Sequence, residues 1–297
     1  MKNSDDGVML QEYRHCQEVV DKRLAEFFTG HEDCAELDES MRYSLLAGGK
    51  RIRAAICLKF CEAVGSAEEK AIDAACAIEM LHAYSLIHDD LPCMDDDDMR
   101  RGKPSNHIRF GESTAMLAGD ALQASAFETL LSSDLPADSV VEMARILANA
   151  AGPRGICGGQ YLDLAGEGKL LTQGELEEIH KMKTAALISA SARLGVIAAG
   201  GTQEQIAAAE GYAHAVGLAF QIRDDLLDCI STTDELGKPA GSDSGNDKAT
   251  FATILGVDEC ENLVRYWTNR AIEALGDKFV NTGFLAWLAQ MLAERKN

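Results

Sequence analysis

Apolar residues recur along this chain at helical spacing, and the pattern predicts a succession of helices. Residues 8 to 28 form the first, with Val8, Leu10, Val19, Val20, Leu24 and Phe27 as its apolar positions. A short second helix runs from Leu37 to Leu46 and closes at Gly48-Gly49. Another helix then starts at the cations Lys50, Arg51 and Arg53. The first long helix covers residues 67 to 91, with Ser66 as cap and Glu69 three residues on, the pattern of a capping box. Residues 112 to 131 and 136 to 151 form two more, broken by the stretch 132 to 136. In the Gly-rich segment 155 to 163 the glycines let helices approach closely. Thr172 with Glu175 caps a helix over 172 to 199. A second long helix, 202 to 230, precedes a polar, Gly-rich loop over 231 to 248, whose length suggests a lid. Helices over 250 to 255, 258 to 275 and 282 to 294 finish the chain. No linker interrupts the series, so one all-α domain over 1 to 297 is expected.

Composition agrees with helices and narrows the function. Aromatic residues are only 6% of a chain that is 46% hydrophobic, so strand formers are scarce. A net charge of −20 argues against a nucleic-acid partner. No apolar run approaches about 20 residues without charge, and the N-terminus lacks a basic, apolar leader, so no membrane span is expected. The nine cysteines form no CxxC pair, which fits a reducing cytoplasm. Cys57 and Cys61, four apart on a helix, read either as contact points for a metal or partner or as small buried hydrophobes.

The candidate chemistry gathers at two acidic helix ends. Residues 86 to 104 place Asp89, Asp90 and Asp95 to Asp98 beside Arg100, Arg101 and Lys103. Such carboxylates repel one another unless cations neutralise them, and hard oxygen ligands suit Mg2+ shared with substrate phosphates. Mn2+ would accept the same ligands. Pro92 would stop the helix and turn Asp95 back toward its mouth. Far downstream, Asp224 and Asp228 stand four apart on one helix face, with Gln221 three residues before Asp224. Gly237-Lys238-Pro239 follows in the loop. Lys50 and Arg53, three apart at a helix start, read as a phosphate contact or as a solvated basic turn. His82, Ser85 and Asp89 share one stripe. Gln160 and Asp163 read as cavity or packing residues, and Lys183 with Thr184 as site groups or as the border of a buried run. Together these stretches suggest one site clamping a diphosphate through several Mg2+ ions.

Over residues 40 to 256 the chain resembles the short-chain trans-prenyl diphosphate synthases, most of all the bacterial farnesyl diphosphate synthase type. Gly49-Lys50-Arg51-Ile52-Arg53 matches that family's early basic motif, with Ala54 where proline is common. Asp89-Asp90-x-x-x-x-Asp95, followed by Arg100-Arg101-Gly102, matches the first aspartate-rich motif in its longer form. Lys183-Thr184, Phe220-Gln221, Asp224-Asp225-x-x-Asp228, Gly237-Lys238 and Lys248 match the later motifs. The resemblance implies a helical bundle around a central cavity, as a homodimer. It implies that Asp89, Asp95 and Asp224, supported by Asp90 and Asp228, hold about three Mg2+ on an allylic diphosphate. Arg100, Lys183 and Lys238 would cradle that diphosphate, and Lys50, Arg53, His82 and Arg101 would hold isopentenyl diphosphate, with Lys248 in the flap. Gln221 and Thr184 would face the allylic cation.

Product length turns on the long helix. Tyr84 lies five residues before Asp89, about 7.5 Å along the axis. In the family an aromatic residue there is a floor that stops growth near C15. Helix geometry alone aligns Ser85 better, and serine is small. The C20 geranylgeranyl synthases share most of these motifs, and class I terpene cyclases share the first. A non-catalytic partner subunit would typically lack an aspartate motif, whereas this chain keeps both.

Overall fold

The computed structural model describes residues 2–30, 32–169, 171–230 and 250–295. Helix α1 (Lys2–Leu24) ends four residues before the predicted boundary, where Phe28 and Gly30 turn the chain with φ of 58° and 96°. A 3-10 turn at Glu32–Cys34 leads into α2 (Ala35–Leu45). Helix α3 (Ile52–Val64) starts behind a left-handed Arg51 at φ 47° and is buried on nearly every face. Its buried Lys59 reaches Glu12 (3.1 Å) and Glu62 (2.8 Å). Cys57 and Cys61 are fully buried, the Cys61 thiol donating to the Ala67 carbonyl (3.2 Å), so they pack the core and offer nothing to a partner.

The capping box expected at Ser66 and Glu69 does not form. Ser66 N donates to Cys61 O (3.2 Å) and Gly65 N to Glu62 O (2.9 Å), the paired bonds that close a helix C-terminus through a left-handed glycine. Ser66 is consumed in ending α3, a 3-10 turn takes Glu68–Ala71, and α4 (Ile72–Asp89) begins later than predicted. By contrast the box at Thr172 forms in full, with Glu175 N on Thr172 Oγ1 (3.3 Å) and Thr172 N on Glu175 Oε2 (2.9 Å).

Beyond α4 the chain makes a short hairpin, β1 (Met99–Arg100) and β2 (Lys103–Pro104). Next come α5 (Asn106–Phe110), α6 (Glu112–Leu131) and α7 (Ala137–Ala151). The Gly-rich segment is itself helical, as α8 (Ile156–Gly166). The helix predicted over 172 to 199 is α9 (Gln173–His180) and α10 (Ala186–Ala198), joined by a π-helical turn at Lys181–Ala185. Then follow α11 (Gln203–Ile230), α12 (Phe251–Leu255), α13 (Val257–Leu275) and α14 (Gly283–Glu294). Lys238, Lys248 and the predicted lid lie outside the described residues.

Helix α4 packs on α3, α6 and α10, and α11 lies between α10 and α13. The main apolar cluster runs through these elements, and each Leu, Ile or Phe removed from water there contributes about 1.5–3 kcal/mol. A smaller cluster of Leu176, Ile222, Leu226, Phe251, Cys260 and Val264 ties α9 and α12 to α11 and α13. Buried helices therefore deliver both acidic ends to one side of the bundle on a stiff frame.

Candidate active site

At the end of α4, Asp95 N donates to Asp89 O (2.8 Å) and Asp96 N to Leu91 O (3.2 Å), so the chain folds back after Pro92. The hairpin turn has Arg101 and Gly102 left-handed at φ 53° and 73°, which returns Arg100 to the helix end. Arg100 Nε donates to both oxygens of Asp90, at 2.6 and 2.9 Å, and Arg100 Nη2 reaches Asp97 at 3.4 Å. Asp90 is buried, and it and Arg100, expected to act separately, hold one another. Asp89 is different. Burial pushes its carboxyl up to about 6, the Lys183 and Arg100 charges oppose the shift, and Asp95 and Asp90 add to it. A carboxylate held this way gains from any cation that arrives.

Lys183 sits in the π turn, with Nζ 2.6 Å from Asp163 of α8. The close packing behind it depends on Gly159, where a Cβ would stand 2.3 Å from Lys183 N. Beside it, Thr184 Oγ1 donates to Gln221 Oε1 (3.1 Å), Gln221 Nε2 to Asp225 Oδ1 (3.0 Å), and Phe251 N to Asp225 Oδ2 (2.8 Å). This chain of bonds ties the π turn, α11 and α12 together. Sequence reasoning singled out Thr184 and Gln221 for the substrate. It left Asp225 as a landmark, although its place inside an acidic motif on a buried helix face was the available signal. Gln160 is 7% exposed, and both of its amide atoms are buried without a partner among the described residues.

Of the second acidic end, Asp228 is buried and Asp224 carries an ion pair with Arg295. Arg295 also donates to the Phe220 carbonyl (3.3 Å) and lies 4.0 Å over the Phe220 ring, while its own carbonyl accepts from Arg223 Nε (3.0 Å) and Nη2 (2.8 Å). The sequence reading missed Arg295; a basic residue just past an apolar C-terminal helix was the only hint.

Across from Asp224 stand the cations Lys50, Arg53 and Arg101 with His82 among them, and together with Phe220 they line one groove. Arg53 Nη1 lies 3.4 Å from His82 Nε2, and Arg53 Nε is buried with no partner among the described residues. Burial, then the Arg53 and Arg101 charges, drives the His82 pKa well below its ordinary value. Cations gathered around a neutral imidazole, with one buried guanidinium nitrogen unpartnered, offer charge-assisted donors to an anion. Arg51 has other work. It binds Glu79 (3.1 Å), Asp21 (2.8 Å) and the Leu45 carbonyl (2.7 Å).

At the product-length positions, Ser85 Oγ donates to His82 O (3.0 Å). Tyr84 is 4% exposed, with its hydroxyl 3.6 Å from Cys157 Sγ. Among the described residues no three His, Cys, Asp or Glu side chains lie close enough to hold a metal by themselves. The donor set does fit Mg2+. Hard carboxylate oxygens come from two helix ends, the Asp89 carboxyl is pushed up by burial despite Lys183 and Arg100, and Mg2+ takes few protein ligands and completes its shell with phosphate and water.

The polyprenyl synthetase family model matches residues 34–278. The chain belongs to that family. Farnesyl diphosphate synthase of Geobacillus stearothermophilus is 41% identical over 282 residues, covering 94% of this chain and 95% of that protein. Large subunit 1 of the heterodimeric chloroplast geranylgeranyl pyrophosphate synthase of Arabidopsis thaliana is 46% identical over 272 residues, 88% of this chain and 73% of that one. Among solved structures, geranylgeranyl pyrophosphate synthetase from Pyrococcus horikoshii superposes with a TM-score of 0.88 at 32% identity, covering 96% of this chain and 98% of that one. An FPP/GFPP synthase from Zymomonas mobilis gives 0.83 at 31%, covering 99% and 100%. This polyprenyl synthetase is thus a prenyltransferase with the all-α isoprenoid synthase fold, acting on isoprenyl diphosphates to make products of the farnesyl or geranylgeranyl class. No helix of the described residues is long and apolar enough to cross a membrane.

Proposed function

We propose that the enzyme is a farnesyl diphosphate (C15) synthase, joining isopentenyl diphosphate head-to-tail to dimethylallyl and then geranyl diphosphate. The observation that carries the C15 reading is Tyr84, buried five residues before Asp89 with its hydroxyl engaged, so that a full aromatic ring stands below the first acidic end. Asp89, Asp95 and Asp224, supported by Asp90 and Asp228, would hold Mg2+, which supplies charge neutralisation of the leaving diphosphate when bound. Lys183 holds the same diphosphate by its ammonium group, with Asp163 fixing its direction. Arg100, pinned by Asp90, presents its remaining guanidinium nitrogen to it, and by the family resemblance Lys238, outside the described residues, would join the same cradle. Lys50, Arg53, His82 and Arg101 bind the diphosphate of isopentenyl diphosphate. The anion relieves the repulsion among the Lys50, Arg53 and Arg101 charges, and His82 adds a neutral ring nitrogen.

The allylic C–O bond breaks with its electron pair leaving on the diphosphate. The isopentenyl double bond then donates its pair to form the new C–C bond, and a proton is lost to the released diphosphate. The Gln221 and Thr184 oxygens turn dipoles toward the transient cation, and the apolar walls exclude water. Exposed Met116, Leu117 and Leu131 on α6, with Val141 on α7, support assembly as a homodimer.

Several relatives named as geranylgeranyl pyrophosphate synthases, at 46–48% identity, favour a second reading, a C20 product. One assay separates the two. Isopentenyl diphosphate is supplied with dimethylallyl or geranyl diphosphate, with Mg2+ or with a chelator, and the dephosphorylated products are resolved by length. A metal-dependent C15 product is expected. A C20 product overturns the length reading alone, and no product with any primer overturns the proposed reaction.

A further inference from the structure

Helices α4 and α8 are linked at two levels, through Lys183 at the acidic end and by direct contact below it. At the acidic end, Asp163 of α8 holds Lys183 at 2.6 Å, and the Lys183 charge is the one that acts most strongly on Asp89 of α4. Six residues back on α8, about 9 Å along its axis, is Cys157. Five residues back on α4 is Tyr84, and there the helices touch, Tyr84 Oη against Cys157 Sγ at 3.6 Å. Between the two levels on α8 is Gln160, 7% exposed, with both amide atoms buried and unpartnered among the described residues. The Tyr84–Cys157 contact thus lies about one and a half turns below the acidic end, the level at which a chain growing away from Asp89 would meet it.

The closing side chain is held on more than one side. The ring packs edge-on against His88, centroids 5.7 Å apart at 83°. His88 Nε2 donates to the Met116 carbonyl (3.0 Å), and the imidazole fits only because Gly119 has no side chain; a Cβ there would lie 2.1 Å from Nε2. The ring is thus braced from α4 and α6, and Cys157 is the contribution from α8.

We infer that Cys157 is a specificity-determining positioning residue, whose thiol holds the Tyr84 hydroxyl and thereby sets the depth at which the growing isoprenoid stops. Product length is then a property of the Tyr84–Cys157 pair. The inference rests on the reading of Tyr84 as the floor, and the test distinguishes the two.

Product-length distributions are measured for the parent, Tyr84→Ala, Tyr84→Phe, Cys157→Ala, Cys157→Ser and the Tyr84→Phe/Cys157→Ala double variant. Each is supplied with isopentenyl and geranyl diphosphate and normalised to total isopentenyl incorporation, with thermal melts to establish folding. The ratio of the product one isoprene unit longer than the parent's to the parent's own is read. Cys157→Ala and Tyr84→Phe should each raise it about threefold, the scale of one modest hydrogen bond. The double variant should exceed neither, Cys157→Ser should return to the parent ratio, and Tyr84→Ala should lengthen the product most. A parent ratio in Cys157→Ala or Tyr84→Phe, or additive effects in the double variant, overturns the pairing while a longer product from Tyr84→Ala keeps the floor. A parent profile in Tyr84→Ala removes the floor and the inference together.

Discussion

Gly159→Ala tests whether the backbone contact behind Lys183 sets the geometry of the site. A Cβ at this position would stand 2.3 Å from Lys183 N, 2.7 Å from Lys183 Cα and 2.8 Å from Met182 C. All three are main-chain atoms of the π turn, so no side-chain rotation relieves the clash. Ordinary contact lies near 3.5–4.0 Å, so α8 and the π turn must separate by about 1 Å or more. Overpacking of this kind costs about 3 kcal/mol, the upper end of the usual range. In a chain of this size a kilocalorie moves Tm by about 2 °C, so a loss of about 6 °C is expected in a calorimetric scan. The same separation carries Lys183 away from its position beside Asp89, and a misplacement of about 1 Å at a catalytic group should cut kcat about 100-fold. Gly174→Ala on α9 is the control. Its Cβ would meet nothing within 4 Å, so stability should hold or rise by about 0.5 kcal/mol, with kcat unchanged. A Gly159→Ala enzyme with Tm within about 1 °C and kcat within about twofold of the parent would refute the reasoning, because such a contact cannot be both close and free of cost.

Glu79→Ala leaves Arg51 buried beside a missing partner, in a pair where both side chains are 3% exposed; denaturant titration should show a loss of about 3 kcal/mol, and no loss would mean the pair is not buried as described. Lys183→Ala should lower kcat by about 100-fold or more, while Lys181→Ala, which removes only an exposed pair with Glu178, should change it little; equal effects in steady-state assays would contradict the role given to Lys183. Burial brings the His180 pKa down to about 4, with a lesser lowering from Lys183. The unfolded histidine takes a proton below about 6.5 and the folded one only near 4, so stability is lost as pH falls through that window. Between pH 7 and 5 the loss is about 2 kcal/mol, and His180→Phe, which keeps the stack on Phe251, should abolish it in urea titrations at the two pH values. An equal slope in the variant would exclude His180 as its source.

Much of this architecture was legible because it rests on local rules. Helical spacing found the buried elements, the Thr172 box was readable from two residues, and Pro92 with its flanking acids announced the turned-back end of α4. What escaped depended on partners distant in sequence. Ser66 has the same local pattern as Thr172, yet its amide was already taken by the closing turn of α3. The glycines of 155 to 163 suggested close approach, but only the fold shows that the surface they approach is the backbone of Lys183. Asp90 and Arg100 read as two site groups and turn out to hold one another. Gln221 and Thr184 belong to one hydrogen-bonded chain, and Arg295 joins Asp224 from the far end of the sequence. Neither relation has a spacing that periodicity could reveal.

The π turn at Lys181–Ala185 works as a phase adjuster in a single long rod. Each residue turns an α-helix by about 100°, so one extra residue lets the two halves keep different registers on one axis. Upstream, Leu176 faces Phe251, Ile222 and Leu226; downstream, α10 buries its face against α3 and α11. Deleting one residue inside the turn would restore a regular helix and swing one half by that angle, taking either Leu176 out of its cluster or α10 out of the main core. Lys183 therefore sits at the point where two packing patterns are reconciled, and the length of that segment is fixed by geometry on both sides of it.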